Sequence, residues 1–131
     1  MNHDKFIGEV QHKARLASRG EAEAAVRATL QTLGERLTEG AARNLAAQLP
    51  REIGEYLETA EHGERFGVDE FVERVSIREG ADPPRAAYHA RAVLDVLRGA
   101  VSEGQMDKVL AQLPEELDRL VMAGPEGDLR L

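Results

Sequence analysis

Apolar residues recur at helical spacing in a series of runs separated by short polar joints. Phe6, Ile7, Val10, Ala14 and Ala17 predict a first helix. Ser18-Arg19-Gly20-Glu21 then reads as a capping box, in which the Ser hydroxyl takes a free backbone N–H and the Glu reaches back. The helix it opens carries Ala22, Val26, Leu30, Leu33 and Leu37 along one face. Thr38 is placed to cap a third helix with Leu45, Ala46 and Leu49 apolar. Pro50 suits the first turn of a fourth, where a missing N–H costs nothing, and that helix presents Ile53, Tyr56 and Leu57.

The second half repeats these signals in other residues. Asp69 is read as opening a helix that bears Phe71, Val72 and Val75. Asp82-Pro83-Pro84 predicts a cap with Pro at the first helical positions, leading into a stripe of Ala86, Ala90, Val93, Leu94, Leu97 and Val101. Ser102-Glu103-Gly104-Gln105 reads as a second capping box before Met106, Val109, Leu110 and Leu113. Pro114 then starts a last helix with Leu117, Leu120 and Val121.

The tetrapeptide AQLP explains the resemblance between halves. It occurs as Ala47 to Pro50 and again 64 positions later as Ala111 to Pro114. At that offset Leu30 and Leu33 fall on Leu94 and Leu97, Arg27-Ala28 on Arg91-Ala92, and Leu37-Thr38-Glu39-Gly40 on Val101-Ser102-Glu103-Gly104. Upstream, Asp4, Phe6, Ile7 and Val10 fall on Asp69, Phe71, Val72 and Val75 at an offset of 65. A fixed self-similar period of this kind is the mark of a tandem duplication. The expected architecture is therefore all-α: a helical module of about four helices, spanning 4–58, repeated over 69–122. Linker 59–68 joins the copies, Phe66 packs back onto one of them, and the tail 123–131, with two Gly and one Pro, is expected to fray. Neither copy is large enough to be comfortable alone, so the two are expected to share one core with pseudo-twofold symmetry, as a single domain over 1–131. The Leu of each AQLP is expected to plug that core while the Pro turns the chain.

Composition narrows the functional field. The chain has 131 residues, 42% apolar and 31% charged, a globular balance. Aromatics are only 4% and Trp is absent, so the core must be Leu, Val and Ala. The net charge of −7 argues against nucleic acid and against an anionic membrane surface, both of which call for a basic footprint. With no Cys, disulfides, thiolate catalysis and Cys-based zinc sites are excluded. The start, MNHDKFIGEV, lacks the basic segment and apolar run of a signal peptide, and no stretch approaches the ~18 apolar residues of a membrane span. A cytoplasmic protein is expected.

The L-x-x-L pairs at Leu30/Leu33 and Leu94/Leu97, the [TS]-E-G joint, AQLP and the D-E-F-x-x-R-V opening at Asp69 to Val75 resemble the domain of unknown function 2267 family. The likeness covers nearly the whole chain. It implies a small bacterial all-helical protein, and it brings no catalytic residues to carry over.

Chemistry-bearing residues are thinly spread. His3, His12, His62 and His89 form no pair that would place two ligands on one helical face, so no metal and no cofactor is expected. His89 flanks the long apolar stripe, and its counterpart in the first copy is Ala25. It is the His most suited to a proton-linked switch. Glu21/Glu23, Glu52/Glu55 and Glu115/Glu116 sit near Arg at helical spacing or in first turns, which favours solvated faces over acid–base catalysis. Gly40 and Gly104 are isolated, without a phosphate-loop pattern. Arg85, Arg91 and Arg98 could form a basic stripe for helix-turn-helix DNA binding, though Asp95, Glu103 and Asp107 lie nearby. Tyr88 and Val96 stand off the main stripe and would contribute to an interface patch if exposed together.

The expectation is a non-catalytic helical module that binds a protein partner or itself, with Arg85, Tyr88, His89 and Val96 as the ligand or interface candidates. A second reading is a small-ligand or enzymatic protein using a cleft between the copies, with His89 or the Arg residues pointing inward. DNA binding is the third.

Overall fold

The computed structural model describes residues 1–123, with side chains through Leu120. Among these residues it holds eight helices and no strand: α1 (His3–Lys13), α2 (Arg19–Arg36), α3 (Glu39–Ala46), α4 (Arg51–Glu58), α5 (Val68–Glu79), α6 (Pro83–Ala100), α7 (Glu103–Leu110) and α8 (Glu115–Ala123). The tail beyond Ala123, expected to fray, and the side chain of Val121 lie outside the described residues.

Local chemistry sets most of the boundaries. Ser18 accepts from the Glu21 N–H at 3.2 Å while Glu21 accepts from the Ser18 N–H at 3.0 Å, the complete capping box. Thr38, Asp82 and Ser102 each accept from the backbone N–H three residues on. Other boundaries differ from the sequence reading. α1 stops at Lys13, and Arg15 turns the chain at φ 55, so Ala17 lies beyond the helix. Asp69 is inside α5, whose N-cap is Gly67. Pro50 is an N-cap whose carbonyl accepts from Ile53 and Gly54. The box at Ser102 closes only halfway: its own N–H is donated to Gln48 at 2.8 Å, so Gln105 does not reach back.

The two 18-residue helices, α2 and α6, are the frame. α1 lies on α2 and α6, α5 on α6 and α2, α4 on α2 and α3, α8 on α6 and α5, and α3 on α7. One continuous core runs from Phe6 to Leu120 and is built of Leu, Val and Ala with three Phe, two Ile and one Met, and it includes Leu30, Leu33, Leu94 and Leu97. Leu113 reaches this core, but Leu49 is only partly buried against it, so the two AQLP leucines are not equivalent plugs. Phe66 does pack back, its ring 6.5 Å from that of Phe71.

Two glycines let the first half close tightly. A Cβ on Gly34 would lie 2.6 Å from the Leu57 carbonyl oxygen, and one on Gly54 would lie 2.8 Å from that of Ala46. These approaches bring α4 against α2 and α3. In the second half, 64 positions on, stand Arg98 and Asp118, and α8 lies on α6 and α5.

Candidate functional site

Four polar clusters tie helices together, and each starts from side chains that helical spacing carries to a seam. At the α2–α5 seam, Arg78 grips both oxygens of Glu35 at 2.7 Å and the Thr32 hydroxyl at 2.8 Å. Arg74 donates to Glu35 at 3.0 Å and to Glu64 at 3.1 and 3.2 Å, pairs with Glu70, and stacks 4.1 Å above the Phe66 ring. Burial alone would raise the Glu35 carboxyl, but hydrogen bonds from Arg78 and Arg74 outweigh it and hold it below its ordinary range. Arg74 is raised, chiefly by Glu64. The connection from Thr59 to Gly67 is fastened over this seam. Gly63 and Glu64 donate to the carbonyls of Leu37 and Glu35 at 2.9 Å, His62 Nδ1 donates to Gly34 at 2.8 Å, and Arg36 donates to Phe66 at 3.0 Å.

At the α1–α6 seam, Lys13 pairs with Asp95, which also accepts from Arg98 at 2.7 Å. The Tyr88 hydroxyl donates to the Lys13 carbonyl at 3.2 Å. Between α5 and α6, His89 Nδ1 lies against the Glu79 carboxylate with both side chains nearly buried, 11% and 7% exposed. The second Glu79 oxygen is buried and finds no hydrogen-bond partner among the described residues. At the α3–α7 contact, Gln48 accepts from the Ser102 N–H at 2.8 Å, and Gln112 accepts from the Thr38 N–H at 3.1 Å.

The four sequence candidates do not converge. Val96 is buried in the core at 3% exposure, so it forms no surface patch with Tyr88; the apolar stripe of α6 is simply wide. Tyr88 and His89 are neighbours, ring centroids 6.1 Å apart, but they serve different seams. Arg85 is exposed at the start of α6. The Arg85/Arg91/Arg98 stripe does not form either, because Arg91 is buried and Arg98 is paired with Asp95. Among the described residues no group of three or more His, Asp or Glu is placed to hold a metal ion, and no helix is long and apolar enough to cross a membrane.

A concavity lies elsewhere. A hollow of about 930 Å³ runs along the end of α1 and is lined by Gly8, Gln11, His12, Lys13, Arg15, Leu16 and Asp95. Gly8 presents no side chain and nothing stands within 4 Å of where its Cβ would be, which widens the floor. Lys13 and Arg15 give the lining a local positive bias on a chain of net charge −7. The sequence reading missed this hollow and the Glu35–Arg74–Arg78 network. The Gln shared by both AQLP copies was the one available signal for the α3–α7 exchange.

The family model described as "Uncharacterized conserved protein (DUF2267)" matches residues 3–120. No curated protein matches the chain.

Proposed function

This chain belongs to the DUF2267 family, and we propose that it is a non-catalytic, cytoplasmic interaction module whose docking face is the hollow beside α1. The partner chemistry we assign is an extended acidic segment of another protein. The observation that carries this reading is the hollow itself, which measures about 930 Å³ and brings His12, Lys13 and Arg15 to one lining, with Lys13 paired to Asp95 at its edge. His89 contributes nothing to the hollow, since it is turned toward Glu79.

The module is one domain made of two copies of a four-helix unit related by a pseudo-twofold axis. Reciprocal contacts support this. α1 of the first copy lies on α6 of the second, as α5 of the second lies on α2 of the first. Lys13 and Arg78, 65 positions apart, each cross to an acid on the other copy's long helix. Gln48 and Gln112, 64 positions apart, cap each other's third helix.

Amide chemical shifts test the docking face. Titration with an extended peptide alternating Glu and Leu should move Gly8 to Leu16 and Asp95, and added salt should weaken the effect. Shifts confined to other surfaces, or none at millimolar peptide, sink the reading. Shifts that grow with protein concentration alone would replace the partner with a second copy. Shifts with a short DNA duplex and not with the peptide would restore the nucleic-acid reading.

A further inference from the structure

α1 carries a glycine at its middle, and nothing inside the described structure requires it. Gly8 is the sixth of the 11 residues of α1. A glycine in a helix interior costs backbone entropy that other residues, proline apart, do not. The other interior glycines have a packing reason: a Cβ on Gly34 or Gly54 would lie 2.6 or 2.8 Å from a backbone carbonyl oxygen. Gly20, Gly40 and Gly104 are the second residues of their helices, and Gly99 is next to last in α6. Around Gly8 no atom stands within 4 Å of the place a Cβ would take. The position 65 residues on holds Glu73, exposed on α5, so the helical pattern accepts a large side chain there.

What Gly8 does border is open space. The hollow of about 930 Å³ and a second of about 370 Å³, lined by Lys5, Gly8, Glu9, His12 and Lys13, share Gly8, His12 and Lys13, so the two meet over α1. We infer that Gly8 is the crossing point of the docking face: the acidic segment runs through both hollows and passes over α1 with its main chain against the bare helix backbone at Gly8. A side chain at that position would hold the segment off. Lys5 and His12 are exposed and meet no acid among the described residues, which leaves their donors for the segment's carboxylates. Lys13 is already paired with Asp95 and Arg15 is engaged within the chain, so neither is called on. Glu9, in the smaller hollow, accepts from the N–H groups of the extended segment. The inference rests on the docking face proposed above and names the residue that shapes it.

Melting and binding, read on the same variants of the full chain, test this together. Gly8→Ala and Gly8→Gln should both melt above the parent, Gly8→Ala by about 2–5 °C, because each is a better helix former with open space around it. Titrated with the Glu–Leu peptide and followed by amide shifts, Gly8→Gln should raise the dissociation constant about tenfold or more, and Gly8→Ala by less. Glu73→Gly, the reverse change at the matching place on α5, should lower the melting temperature and leave peptide binding as in the parent. If Gly8→Ala melts below the parent, Gly8 serves the fold and the inference is overturned. It is overturned as well if Gly8→Gln binds as tightly as the parent with shifts still centred on His12, Lys13 and Asp95, an outcome that leaves the docking face standing. An unshifted parent at millimolar peptide removes the docking face itself, and the inference with it.

Discussion

Across the α2–α5 seam Arg78 reaches Glu35 and Thr32 while the segment 59–67 lies over the top; across the α1–α6 seam Lys13 reaches Asp95 beside an open hollow. The two halves differ again at their fourth helices. Gly34 and Gly54 let α4 sink onto α2 and α3, whereas the positions 64 further on hold Arg98 and Asp118. The second half also places a buried Glu79–His89 pair where the first has the buried alanines Ala14 and Ala25. One helical pattern thus supports two kinds of closure: backbone contact through missing side chains in one half, and charge placed inside in the other. The pattern specifies which faces are apolar, and the side chains at the seams specify how near the helices come.

The strongest way to break that comparison is to put a side chain where backbones touch. Gly34→Ala sets a methyl against the Leu57 carbonyl and should cost about 3 kcal/mol or more of unfolding free energy in a urea titration. Arg98→Ala, at the matching position, should cost about 1 kcal/mol or less. Equal costs would show that the glycine contact is not what closes the first half.

Next in size is the buried pair. His89→Ala strands the Glu79 carboxylate and should destabilise by about 2–4 kcal/mol, whereas His89→Ala with Glu79→Ala recreates the alanines of the first half and should recover part of the loss. A double variant worse than the sum of the singles would mean the pair sustains more than its own burial.

The two acids at the seams should respond to pH with opposite sign. Glu35 holds its proton less tightly in the folded chain than at its ordinary value of 4.5, so its stabilisation is complete above that value and is lost as pH falls through the lower, folded one. Asp118 is raised above 3.8 by burial and, secondarily, by Glu115. The folded chain therefore keeps that proton longer than the unfolded one, and stability falls as pH rises from 3.8 through the raised value. Glu35→Gln should lose about 2 kcal/mol at neutral pH, with the gap closing in acid. Asp118→Asn should be neutral or more stable at neutral pH, and its advantage should shrink in acid. Thermal melts across acid to neutral pH read both, and parallel profiles would refute the distinction.

The smallest effects concern the crossed contacts of Gln48 and Gln112. Gln48→Ala and Gln112→Ala each remove one acceptor from an exposed N-cap N–H and should each cost about 0.5–1 kcal/mol. One costly and one silent substitution would show that the exchange is not reciprocal in solution.

The sequence by itself determined the helices and most of their caps. Period and capping are local: Ser18, Thr38, Asp82 and Ser102 act on N–H groups three residues away, so a short window contains the whole interaction. Leu30, Leu33, Leu94 and Leu97 declared the core for the same reason. What the tertiary structure decided is everything that depends on which seam a side chain meets. Val96 looked peripheral on its own helix and is buried because α6 is covered on several sides. The capping box at Ser102 was legible but half wrong, since Gln48, 54 residues away, reaches its N–H first. Arg74 and Arg78 both meet the carboxylate of Glu35, about 40 residues away, which nothing in their own helix announces. Charge pairs across seams leave no periodic trace, because the Coulomb attraction depends on distance in space and not on spacing along the chain.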